Sequence, residues 1–97
     1  MIKQFIHKGL EDFFHTENKA GIQPFHAKKL KKQLSALENS KIPKDMSFPG
    51  WDLHQLKGNL ENRWSIKVSG NWRLTFAFEG NDAILVDYQD YHRTKII

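Results

Sequence analysis

Arg63-Trp64-Ser65-Ile66-Lys67-Val68-Ser69-Gly70-Asn71-Trp72-Arg73-Leu74-Thr75-Phe76-Ala77-Phe78 is the stretch that decides the fold. Trp64, Ile66 and Val68 alternate with Arg63, Ser65 and Lys67, and Trp72, Leu74, Phe76 and Phe78 alternate with Arg73, Thr75 and Ala77. A period of two over consecutive runs predicts two half-buried strands of a hairpin. Read as a three-residue loop, Ser69-Gly70-Asn71 sets Val68 opposite Trp72, Ile66 opposite Leu74 and Trp64 opposite Phe76. A two-residue loop sets apolar residues against polar ones. Asn71 suits the left-handed conformation with which such a loop often ends. The same register places Lys67 opposite Arg73 on the other face, where like charges repel and an anion relieves them.

Downstream, Gly80-Asn81-Asp82 turns the chain into a last strand, Ala83 to Tyr88, which delivers Asp90, Tyr91 and His92 at its end. Upstream, Trp51 to Leu56 reads as a strand and Gly58-Asn59 as a turn. Asn39 to Gly50 holds Pro43, Pro49 and Gly50 without a sustained period and is the main loop. Before it, Ala27, Leu30, Leu34 and Leu37 recur at helical spacing, with Lys28, Lys29, Lys31 and Lys32 between them and Pro24 suited to the first turn. Leu10, Phe13 and Phe14 mark an earlier helix that Gly21 closes off, and Ile2 to Ile6 a short strand.

Ninety-seven residues suit one domain spanning 1–97; a chain of this size buries about 65% of its unfolded surface, enough for one core. Fifteen Lys and Arg against eleven Asp and Glu give a net charge of +4 and a pI near 9.4, which favours an anionic partner, nucleic acid first. The absence of cysteine excludes a disulfide framework and a thiolate metal site. Met1 to Phe5 lacks the pattern of a secretory signal, and no apolar run is long enough to span a bilayer. A cytoplasmic protein without membrane attachment is expected.

Metal-free RNA cleavage requires deprotonation of a 2′-hydroxyl, neutralisation of the phosphorane and protonation of the leaving 5′-oxygen. Histidine is the side chain that ordinarily titrates near neutrality, so His54 and His92 are candidate acid and base. Asp90 can orient a histidine or act as base, and Lys57 and Arg73 can hold the phosphate. Tyr91 can stack on a base or donate to phosphate. Taken one at a time, each is more often a surface residue than a catalyst. Trp51 and Trp72 are potential stacking platforms, although Trp72 lies in the apolar register of the core. The lysine face of the second helix serves equally for solvation or phosphate contact. His7, His15 and His26 have no partners at metal-ligand spacing, and no glycine-rich phosphate loop or nucleophile elbow is present. Neither a metal nor a cofactor is expected.

In its order of pieces the chain resembles the HigB family of toxins, within the RelE/ParE superfamily of toxin–antitoxin systems. The resemblance rests on Met1-Ile2-Lys3, Leu53-His54-Gln55-Leu56-Lys57-Gly58, Trp64-Ser65-Ile66, Val68 to Phe76, and Asp87-Tyr88-Gln89-Asp90-Tyr91-His92. It implies an α+β, RelE-like (microbial RNase-type) fold, with two N-terminal helices on a mainly antiparallel sheet of four to five strands. It also implies a ribosome-dependent mRNA endonuclease acting in the ribosomal A site, silenced by a HigA-like helix-turn-helix antitoxin through which alone operator DNA is bound. By that pattern His54, Lys57, Arg73, Asp90, Tyr91 and His92 match active-site positions, with Lys67 and Asn71 at the RNA surface. The tail Arg93 to Ile97 departs from relatives that stop at or just after the histidine. Two other functions compete: a ParE-like inhibitor of DNA gyrase, which has no use for the acid–base residues, and a non-catalytic nucleic-acid-binding module, supported by charge and aromatics alone.

Overall fold

The computed structural model describes residues 1–58 and 62–91. His92, the tail after it and Asn59 of the expected Gly58-Asn59 turn lie outside the described residues.

Helix α1 (Lys8–Thr16) begins where His7 Nδ1 accepts the Leu10 N–H at 3.0 Å, satisfying one of the free donors of its first turn. Its apolar stripe buries Leu10 and Phe13, with Phe14 packed half-buried beside them. Pro24 opens a 3₁₀ turn, Pro24–His26, which runs directly into α2 (Ala27–Glu38). All four spaced apolar residues of α2, Ala27, Leu30, Leu34 and Leu37, are buried, each leucine contributing about 1.5–3 kcal/mol of transfer free energy. Helix α1 ends at Thr16, where Glu17 takes the left-handed conformation and its N–H donates to the Phe13 carbonyl, so Gly21 does not close it and has a packing role instead. A Cβ on Gly9 would stand 2.6 Å from the Gly21 carbonyl oxygen, and one on Gly21 would stand 2.5 Å from the Gly9 Cα. Two glycines therefore let α1 and the approach to α2 cross backbone against backbone.

Four strands, β1 (His54–Gln55), β2 (Trp64–Ser69), β3 (Trp72–Glu79) and β4 (Asp82–Asp90), form an antiparallel sheet in chain order. The expected strand from Trp51 to Leu56 contributes only His54 and Gln55 to the ladder, although the Trp51 carbonyl still receives the Lys67 N–H at 2.7 Å. Residues 2–6 run parallel to β4 along its outer edge, pairing at Ile2 with Ala83 and at Phe5 with Val86. Between those two bridges lies Leu85, at φ +54°. There β4 carries one extra residue against β3, since Thr75 pairs with Asp87 but Ala77 pairs with Ile84.

The β2–β3 register agrees with the sequence at Trp64–Phe76, Ile66–Leu74 and Lys67–Arg73, but Ser69, not Val68, stands opposite Trp72. The connection is thus a two-residue turn, Gly70-Asn71, and a bulge at Val68 absorbs the odd residue and restores the apolar register. Gly70 holds the positive φ, +57°, while Asn71 does not take the left-handed conformation, an arrangement with glycine at the first turn position as in type II′ hairpins. Val68 remains buried despite the bulge. One sheet face, carrying Ile66, Leu74, Phe76 and Val86, packs under the leucines of α2 in a single core that also takes Met46 and Trp51.

Candidate functional site

Directly paired residues in an antiparallel sheet project to the same side. One row across all four strands is therefore His54, Ser65, Thr75, Asp87, and the next on that side is Lys67, Arg73, Gln89. Both lie on the face opposite to the helices. Lys67 and Arg73 stand side by side there, and neither meets a carboxylate among the described residues. Arg73 Nη1 instead donates to the carbonyls of Gly70 at 2.8 Å and Trp72 at 3.0 Å, and its guanidinium carbon lies 5.8 Å from the centroid of the Tyr91 ring.

Tyr91 follows Gln89 at strand spacing and is anchored by its own N–H, which donates to the Asn71 carbonyl at 2.9 Å. The end of β4 and the β2–β3 turn are thereby joined, bringing Asn71, Arg73 and Tyr91 to one end of the face. His54 sits two strands away from Arg73, a lateral separation of roughly 10 Å at ordinary strand spacing. Lys57 is exposed, just beyond the point where the Leu56 N–H closes on the Arg63 carbonyl at 2.8 Å.

Two groups of expected residues do not join this face. Asp90 is paired with Trp72, so strand alternation directs it to the side away from Arg73. Lys28, Lys29, Lys31 and Lys32 belong to a helix whose leucines cover the other side of the sheet, so their surface is separate from that of Arg73. Trp51 is only 6% exposed and is a core residue, not a stacking platform. Trp72, half-buried, stacks on Tyr88 with ring centroids 4.6 Å apart.

Asp87 and Gln89 belong to the terminal motif, but the sequence alone assigns them no role. Gln89 Nε2 donates to Asp87 Oδ2 at 2.7 Å, and the Tyr88 N–H to Asp87 Oδ1 at 2.9 Å, so a fixed carboxamide faces Arg73 across the strands. The period of Asp87, Gln89 and Tyr91 was the available signal. Ser65 Oγ and Thr75 Oγ1 are buried beneath this face without a partner among the described residues.

Behind the site, His26 Nδ1 lies 2.6 Å from Tyr88 Oη, which also accepts the Gln23 N–H at 3.3 Å. Burial holds the His26 imidazole below its ordinary pKa. Burial likewise raises the Tyr88 phenol, partly offset by the bond from Gln23. This pair ties the start of α2 to β4.

A family model, the RelE-like toxin of the type II toxin–antitoxin system HigB, matches residues 3–92. The chain belongs to the HigB-like toxins. A relative from Proteus vulgaris, an endoribonuclease HigB, is 37% identical over 92 residues, which cover 95% of this chain and all of the relative. As a type II toxin, this HigB-like protein has an antitoxin partner. The two helices and the antiparallel sheet agree with the RelE-like α+β fold of the family. No helix among the described residues is long and apolar enough to cross a membrane.

Proposed function

We propose that this HigB-like toxin is an endoribonuclease that enters the ribosomal A site, cuts mRNA by metal-free acid–base chemistry, and so arrests translation in the cytoplasm. The observation that carries the reading is the sharing of one sheet face by His54, Lys67, Arg73 and Tyr91. The endoribonuclease activity of the Proteus vulgaris relative supports it. A phosphate laid on that face meets Lys67 and Arg73, two cations without a carboxylate among the described residues, where a guanidinium can bind it through two donors at once. Proton transfer falls to His54 and His92. One takes the 2′-hydroxyl proton as the 2′-oxygen attacks phosphorus; the other protonates the departing 5′-oxygen, leaving a 2′,3′-cyclic phosphate and a 5′-hydroxyl. Lys57 adds positive charge near His54, Tyr91 stacks on or donates to the nucleotide, and Asp90 acts from the strand end. Asn71, fixed at the turn, contacts a base.

The silencing partner in this reading is a HigA-like helix-turn-helix antitoxin, and operator DNA is bound only through that complex. The test is to add the protein to a translating extract and map mRNA ends with and without ribosomes. Discrete cuts that require ribosomes support the reading; intact mRNA with a DNA-damage response favours gyrase inhibition instead.

A further inference from the structure

We infer that Phe25 and the lysines following it form a second RNA-binding surface, one that stacks on an unpaired base of ribosomal RNA; the ribosome as target rests on the function proposed above. Phe25 is 74% exposed, more than any other large apolar side chain of the described residues. It is not loose, because its ring leans on the buried His26 imidazole at 4.4 Å, and that imidazole is held by Tyr88. A rigidly backed aromatic face open to solvent is what base stacking requires.

The charges beside it point to the same partner. Lys28 and Lys32 are exposed one helical turn apart, a repulsive spacing, and Lys28, Lys29 and Lys32 meet no carboxylate among the described residues. Lys31 differs, since it pairs with Glu17 at 3.4 Å. One ring flanked by Gln23, Pro24 and unpaired lysines is a poor core for a protein interface, where charged residues are depleted and apolar area is contiguous. It matches a nucleotide, whose base is flat and whose phosphates are anionic. Because α2 and the sheet lie between this surface and the Arg73 face, RNA held here is not the strand held there. The ribosome would then be gripped on one side while mRNA is cut on the other.

The test compares Phe25→Ala, Phe25→Leu and Phe25→Trp in the full-length protein, each first checked for an unchanged melting temperature. Phe25→Leu keeps apolar area without a π-face. We expect Phe25→Ala and Phe25→Leu to raise the ribosome concentration giving half-maximal cleavage about tenfold, the scale of one lost base stack. Phe25→Trp should restore it, and maximal rate and cut positions should not change. Chemical probing should show ribosomal nucleotides protected by the wild type and exposed with Phe25→Ala. Wild-type behaviour of Phe25→Leu, altered cut positions with ribosomal protections intact, or a loss confined to antitoxin affinity would each overturn the inference. If the wild type cuts no mRNA, the endonuclease reading fails, yet the protection pattern still decides this one.

Discussion

The main-chain N–H of Tyr91 donates to the carbonyl of Asn71 at 2.9 Å, so the turn between β2 and β3 positions the last described residue of the chain. The bond uses backbone atoms only. Replacing the Asn71 side chain therefore leaves Tyr91 in place, while changing the turn's conformation does not.

Gly70→Ala is expected to cost about 1–2 kcal/mol, because an alanine is strained at its positive φ, and to lower cleavage by displacing Tyr91. Asn71→Ala should keep the wild-type urea midpoint. Equal midpoints for the two variants would refute the turn as the positioning element.

Arg73→Ala should abolish toxicity with little loss of stability, since its side-chain bonds go to the exposed carbonyl of Gly70 and the part-buried carbonyl of the adjacent Trp72, and Arg73→Lys should not fully restore it. Leu74→Ala, at a fully buried position, should cost on the order of 2 to 5 kcal/mol. Growth assays paired with denaturation curves separate the two effects.

Stability should fall on both sides of neutrality through the His26–Tyr88 pair. The His26 pKa is lowered on folding, so the unfolded chain binds its proton first as pH drops. The contribution is present above about 6.5 and is lost as pH falls from there toward the folded value. The Tyr88 pKa is raised, so that contribution is present below about 10 and lost as pH rises through the folded value. His26→Gln should flatten the acid limb of a plot of urea midpoint against pH; an unchanged limb would assign it to other groups.

Gly9→Ala and Gly21→Ala should each destabilise by roughly 1–3 kcal/mol, because the added methyl meets backbone that must shift. A thermal melt matching wild type for both would show that the crossing relaxes freely.

Much of this was legible in the sequence because period carries burial. The leucine stripe of α2, the two central strands and the Lys67–Arg73 pairing all follow from it. The Val68 bulge was hidden because it leaves the apolar register intact on either side; only the turn length betrays it, and a two-residue turn looked incompatible with that register. The separation of Asp90 from Arg73 was hidden for a related reason. Consecutive residues share a motif in one dimension but alternate sides in a strand. The α2 lysines were readable as a charged face, yet their side of the sheet is a matter of packing that spacing does not encode.

The extra residue at Leu85 sets the parity of everything after it. Ala83 points to the core from an odd position, yet Val86 and Tyr88 do so from even ones, so the bulge shifts the phase of β4 by one. Asp87, Gln89 and Tyr91 reach the outer face only because of that shift. The same sequence paired straight through, with Leu85 in the ladder and no bulge, would turn Asp90 to the side of Arg73 and the Tyr91 ring toward the helices. A single backbone kink midway along the strand thus selects which letters of the terminal motif the substrate can read.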